Sequence, residues 1–211
     1  KYAQGAAKLR LNQLSPAELQ ALADSQAHDA AVDIDIPAPP GLAYLPYQRA
    51  AIFYALNRRG TLIGDDMGLG KTIEAIGTVN MLPAAERVLI VCPASLRLNW
   101  QSEWRTWHTG KLRPVLLDAW PNMASLFQLK SFTEGKALIV SYDSVKKWHP
   151  MIAAEPWDVL ICDEAHMLKD ESTRRAKSLF GGTYRRKDVF KPILARRKLF
   201  LTGTSIVNSA A

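Results

Sequence analysis

The chain has 211 residues, 48% of them apolar and 22% charged, with 27 Lys and Arg against 20 Asp and Glu and a formal charge of +7. These are the proportions of an ordinary globular core. They exclude a membrane-spanning helix, because the longest apolar run, at 88–92, is far below the roughly 18 residues that a crossing requires. No signal peptide follows Lys1, and a first residue other than Met suggests a processed or excised piece of a longer chain.

In chain order, Ser15-Pro16-Ala17-Glu18 is a capping box with proline at the first helical position, which predicts a helix over 16–27. Pro37-Ala38-Pro39-Pro40-Gly41 forbids regular structure and predicts a linker, dividing a helical appendage (1–41) from a main unit (42–211). Helical spacing over 46–58 packs through Ile52, Tyr54, Ala55 and Leu56, and a short strand follows at 61–64. Then come a helix over 71–81, a buried strand at 87–92, and a helix over 94–107 with Leu96, Trp100, Trp104 and Trp107 on one side. Further on are a strand at 115–117, a helix at 123–130, strands at 137–141 and 158–162, a helix at 173–180 and a last strand at 198–201. Short apolar runs separated by helices predict an α/β fold, a mostly parallel sheet with helices on both faces and right-handed crossovers. The tryptophans at 100, 104, 107 and 120 are of a type that stacks on bases, but their helical spacing favours core packing.

The charge is uneven. Between Arg174 and Lys198 ten Lys and Arg stand against one acid, Asp188, so this window carries +9 and the rest of the chain −2. Such a block favours a polyanion partner, although a solvated loop has the same composition. Cys92 and Cys162 each sit in a strand-like apolar run, which reads as reduced thiols in a cytosolic protein, with a disulfide left open.

Thr61–Thr72, Thr-Leu-Ile-Gly-Asp-Asp-Met-Gly-Leu-Gly-Lys-Thr, is a strand, a glycine-rich loop and a helix start. Phosphate binding demands this order: glycines let amides turn toward the anion, and the helix points its positive end at the same place. Asp65, Met67, Gly68, Leu69 and Gly70 would form the ATP loop, Lys71 would reach the β- and γ-phosphates, and Thr72 would offer its hydroxyl to Mg2+. Asp65 occupies the position where the usual pattern has its first glycine, and Asp tolerates a left-handed turn. Downstream, Val159–His166 is an apolar strand ending in Asp163-Glu164. In an open α/β sheet that end shares an edge with the phosphate loop. Asp163 would hold Mg2+ through water, Glu164 would orient or deprotonate the attacking water, and His166 would couple the pocket to its neighbours.

Taken together, these motifs resemble the Snf-type DNA-translocating ATPases of helicase superfamily two, over about residues 44–208. Asp65–Thr72 resembles that group's DEMGLGKT signature, with Asp66 in place of Glu, and Asp163–His166 matches DEAH. Leu45-Pro-Tyr-Gln48 resembles the upstream motif whose glutamine, here Gln48, reads adenine. Cys92–Trp100 and Ser141-Tyr-Asp143 resemble motifs that touch the DNA backbone, which implies contacts at Ser95, Arg97 and Ser141; the basic stretch adds Arg185, Arg186 and Lys187. Leu201-Thr-Gly-Thr204 matches the coupling motif at Thr202, Gly203 and Thr204, with Ser205 where the family has proline.

The resemblance implies a RecA-like P-loop lobe, ATP and Mg2+ as cofactors, double-stranded DNA as partner, and a cytoplasmic or nucleoid location, nuclear in a eukaryote. It also implies a second RecA-like lobe carrying an arginine finger. Because the chain ends just past the coupling motif, the expectation is a first lobe that alone turns over ATP poorly. An RNA helicase lobe and a non-hydrolysing nucleotide-dependent interaction module remain the alternatives.

Overall fold

The computed structural model describes residues 34–117 and 133–203. The helices expected over 16–27 and 123–130, Trp120, and the stretch from Thr204 to Ala211 lie outside the described residues. Six strands form one sheet: β1 (Gly60–Ile63), β2 (Arg87–Cys92), β3 (Arg113–Leu116), β4 (Lys136–Ser141), β5 (Trp157–Cys162) and, last in the chain, β8 (Ala195–Leu201). Their order is β1-β8-β5-β2-β4-β3 and every pairing is parallel. Among the described residues, α1 (Pro46–Leu56) precedes the sheet, and α2 (Lys71–Asn80), α3 (Arg97–Trp107), α4 (Val145–Ile152) and α5 (Arg174–Phe180) lie between its strands. The expected mostly parallel α/β sheet is thus present.

Side-chain alternation splits the core in two. Val88, Ile90, Ala137, Ile139, Val159 and Ile161 pack with Ala75, Ile76 and Val79 of α2 and with Trp100 and Trp104 of α3. Leu89, Val91, Leu138, Val140 and Leu160 pack on the other face with Val145, Trp148 and Ile152 of α4 and Leu179 of α5. Strands covered on both sides read as continuous apolar runs because neither side-chain set can be polar. The two cysteines fall in opposite halves of this core, Cys92 in the first and Cys162 in the second, and both are free thiols. Complete burial pushes the Cys162 thiol up to about 12, so it stays protonated.

Two elements departed from the expectations. Helix α4 was not anticipated, since Pro150 interrupts its sequence, yet Val145, Trp148, Met151 and Ile152 form a buried stripe and Pro150 is solvent-exposed. The second is an antiparallel hairpin of β6 (Gly182–Tyr184) and β7 (Asp188–Phe190). Lys187 N donates to Tyr184 O at 3.2 Å, closing a turn whose central residues Arg185 and Arg186 have φ of 50° and 56°. Such turns favour Asn-Gly, and a bulky L-residue in the left-handed region costs about 1–2 kcal/mol.

The basic window is therefore not one surface. Arg196, Arg197 and Lys198 lie within β8, where Arg197 donates to the carbonyls of Ala55 and Arg58 and Arg196 pairs with Asp158 at 3.3 Å. Strand pairing carries them to the start of β8, away from the ends where ligands sit. Only the hairpin and α5 keep the block's charges near the ligand edge.

The described part of the Pro-rich stretch is extended and tied to the main unit. Ile36 packs with Tyr44 and Ile52, and Arg49 Nη2 donates to Ile34 O at 2.9 Å. Asn80 is the knot: its Nδ2 donates to Pro37 O, Tyr44 Oη and Trp107 O, and its Oδ1 accepts from Thr109 N at 3.1 Å and from His108 Nδ1 at 2.8 Å. Replacing Asn80 by Leu strands these groups, so Asn80→Leu should lower the urea-unfolding free energy by about 2–3 kcal/mol. A loss below about 0.5 kcal/mol, the level of an ordinary surface change, would refute the role.

Burial holds His108 below the usual imidazole range. It is neutral here, donating through Nδ1 to Asn80 and accepting the Leu112 amide at Nε2. The unfolded chain takes up a proton near pH 6.5 that the folded one refuses, so this stability is complete above that pH and declines as pH falls through it. Stability measured from pH 7 to 5 should fall more steeply for the native chain than for His108→Gln; equal slopes would contradict the assignment.

Candidate functional site

The site follows from strand order. The strands β1, β8 and β5 are neighbours and parallel, so the residues just past their ends, Gly64, Thr202 and Asp163, emerge on one edge. Two strand spacings amount to about 10 Å, which sets Asp163 opposite the glycine-rich loop. Thr202 N donates to Ile63 O at 3.0 Å, joining the coupling motif to the root of that loop. Lys71 is close enough to Asp163 for its charge to favour the carboxylate. The sequence-predicted residues of the loop, the acidic pair and the coupling motif are thus brought together, as far as Gly203.

Within the loop, Gly68 and Gly70 have φ of 86° and 87°, and α2 starts on Gly70, whose carbonyl accepts from Ile73 N and Glu74 N. Asp65 does not take a left-handed conformation, so the accommodation expected at that position is unnecessary: the turn is made at the two glycines instead. A Cβ on Gly70 would sit 2.6 Å from Gln48 Nε2, and one on Gly203 2.7 Å from Met67 Cγ and 3.3 Å from Lys71 Nζ. Lys71 Nζ donates to the carbonyls of Asp65 and Asp66 at 2.8 and 2.9 Å. Gln48 is buried, accepting from Leu45 N and donating to Leu69 O, which also accepts from Tyr47 Oη. Met67 and Leu69 are exposed, and Thr72 is half-buried at the first turn of α2.

One turn further along α2, Glu74 is fully buried with neither carboxyl oxygen hydrogen-bonded. Burial first, and then the nearby Asp65 carboxylate, push it up to about 9, so it is protonated at neutral pH.

Asp163 is gripped from three sides. Trp100 Nε1 donates to Oδ2 at 2.8 Å, the Glu164 amide to Oδ1 at 2.9 Å, and Tyr142 Oη to the Asp163 carbonyl at 2.7 Å. Burial raises its pKa, against the opposing pulls of Trp100, the Glu164 amide and Lys71. Glu164 has φ 51° and ψ 49°, a left-handed backbone rare outside glycine and a common mark of functional positions. Its Oε2 lies 3.1 Å from His166 Nδ1 but makes no hydrogen bond of normal geometry.

Trp100 and Tyr142 were not among the expected site residues. Trp100 reads as core, and it is core, but a buried indole N–H needs an acceptor, and here that acceptor is Asp163. Of the residues expected to meet nucleic acid, Ser95 is exposed just past β2, and Arg97 is half-buried with Nε donating to Ala94 O. Ser141 is buried, its hydroxyl engaged with Ser144. Arg185, Arg186 and Lys187 are exposed on the hairpin, and Thr204 is outside the described residues.

The profile of the SNF2-related domain matches residues 23–211. The chain is 31% identical over 179 residues to the Caenorhabditis elegans homolog of SWI/SNF-related matrix-associated actin-dependent regulator of chromatin subfamily A-like protein 1, covering 82% of this chain and 25% of that one. It is 32% identical over 163 residues to the DNA repair and recombination protein RAD54 of Oryza sativa subsp. japonica, covering 71% of this chain and 15% of the relative. The chain thus spans a quarter or less of these curated relatives. Among solved structures, the Sulfolobus solfataricus SWI2/SNF2 ATPase core in complex with dsDNA shares the fold with a TM-score of 0.63 at 22% identity, over 83% of this chain and 36% of that one. The profile match over residues 23–211, on a chain with a six-stranded parallel sheet and a glycine-rich loop beside an acidic pair, makes the chain a member of the SNF2-related domain family.

Proposed function

We propose that this chain is the ATP-binding lobe of a DNA-stimulated ATPase that translocates on or remodels double-stranded DNA, in the nucleus or nucleoid. The observation that carries the reading is the meeting of Lys71, Gly203 and Asp163 at one sheet edge. The relatives' printed roles in chromatin regulation and DNA repair support the choice of DNA over RNA.

The residues fit a nucleotide with Mg2+. Thr72 and Asp163 are hard oxygen donors of the kind Mg2+ prefers. Lys71 rests on two backbone carbonyls, a cation ready for a phosphate oxygen. The amides around Gly68 and Gly70 would form the cradle, and Gln48, packed on Gly70, would read the base. Bound Mg2+ would neutralise phosphate charge. Glu164, whose Oε2 lies 3.1 Å from His166 Nδ1, would orient or deprotonate the attacking water. His166, 3.1 Å away, and the Thr202-Gly203 turn beside Lys71 carry the state of the pocket to neighbouring elements. Lobe closure on ATP would complete the pocket with an arginine finger, worth roughly three to five orders of magnitude in turnover.

Lys71→Ala, in a protein carrying both lobes, should abolish hydrolysis while leaving duplex affinity within about twofold, since Lys71 faces phosphate rather than DNA. Surviving ATPase activity, followed by phosphate release, would remove Lys71 from the pocket. Trp100→Phe keeps the ring in the core but deletes the donor to Asp163. The Mg2+ concentration for half-maximal ATPase should then rise about tenfold, the size typical of a lost partner to a metal ligand. An unchanged Mg2+ dependence would make that hydrogen bond purely structural.

A further inference from the structure

A cleft of about 380 Å3 opens beside the acidic pair, on the far side of Asp163 from the phosphate loop. Four separate stretches wall it: Tyr142, Asp143 and Lys146 after β4, Met167 after the acidic pair, Arg174 and Arg175 of α5, and Tyr184 with Arg185 of the hairpin. Four cations thus stand against one carboxylate. Two of the four brace the walls: Arg175 bonds Asp143 at 2.9 Å, and Lys146 bonds Asp188 of β7 at 2.8 Å. Arg174 and Arg185 have no ion-pair partner among the described residues, and both are exposed. Arg185 lies over the Tyr184 ring, 5.3 Å from its centroid, so the planar cation is supported from below and its donors stay open.

The hairpin tip adds an independent observation. Arg185 and Arg186 both hold positive φ, in a turn that Asn-Gly would close without strain. A surface turn that keeps two arginines against their backbone preference points to a use for the charges. The ligand is anionic, and its recognition is by forks and point charges. No open aromatic face lines the cleft for stacking, since Tyr142 is buried and Tyr184 lies under Arg185. That is the chemistry of a phosphate backbone rather than of bases.

We propose that this cleft and the hairpin tip bind successive phosphates of a nucleic-acid backbone, at a site separate from the nucleotide pocket. The inference rests on the nucleic-acid reading above and extends its contact from the Ser141-Tyr-Asp143 motif, which forms one wall through Tyr142 and Asp143, to Arg174 of α5 and the hairpin tip. Tyr142 is the wall the two sites share: its side chain lines the cleft, and its hydroxyl holds the Asp163 carbonyl. A backbone seated there loads the residue that orients the acidic pair.

The test replaces the strained tip by its relaxed sequence, Arg185→Asn with Arg186→Gly, and separately makes Arg174→Ala. Labelled duplex DNA and labelled ATP are titrated into each protein between 50 and 200 mM salt, and melting temperatures are recorded. The double change should raise the melting temperature, weaken duplex binding roughly tenfold and lower the salt slope by about one per lost phosphate contact. Arg174→Ala should weaken the duplex without changing melting. ATP binding should be unchanged in both. Unaltered duplex affinity and slope in both variants would overturn the proposal while leaving the ATPase reading intact, and so would a loss confined to ATP. Failure of the unaltered chain to bind duplex would overturn both.

Discussion

The site exists because β1, β8 and β5 pair in parallel and side by side. In a parallel sheet every chain direction is the same, so the loops that follow these strands must share an edge. Gly64, Thr202 and Asp163 meet there although 138 positions separate the first from the second in the chain. The hydrogen bond from Thr202 N to Ile63 O continues that ladder one residue past the strands. Were β8 not between β1 and β5, the loop lysine and the acidic pair would have no common pocket.

Around this frame, polar burial is concentrated on a few residues. Asp163 takes a side-chain donor from the helix after β2 and a donor to its carbonyl from the turn after β4, so two elements outside the nucleotide loop determine how its carboxylate faces. Glu74 is buried near Asp65 and stays neutral, which avoids the cost of a buried charge there. At the opposite edge, Asn80, the last residue of α2, ties Pro37 and Tyr44 to the end of α3. The glycine-rich loop and this knot lie at the two ends of α2, so the helix that presents Lys71 is anchored at its far end.

Backbone strain is equally localised. Outside glycine, positive φ among the described residues occurs at Glu164, Arg185 and Arg186. One lies in the acidic pair and two on the tip of the basic hairpin, on either side of Tyr142. Conformations that a chain adopts at a cost and keeps at functional edges are those in which geometry matters more than stability. The same trade explains the fate of the basic window. Its last three members serve the paired strand β8, while the hairpin holds its own in solvent.

Much of the fold and the pocket was legible in the chain itself. The apolar runs of β2, β4 and β5, the glycines at 68 and 70, Lys71-Thr72 and the strand-terminal Asp163-Glu164 are local patterns whose chemistry does not depend on distant neighbours. Helix α4 escaped because Pro150 looks like a break until its exposure is known, and the hairpin escaped because Arg-Arg is not the expected turn sequence. Only the tertiary structure could show that Trp100 and Tyr142 hold Asp163, that Asp65 needs no left-handed turn, and that one basic run divides between a strand and a cleft. These depend on which strands become neighbours, a non-local outcome that no spacing along a single chain encodes.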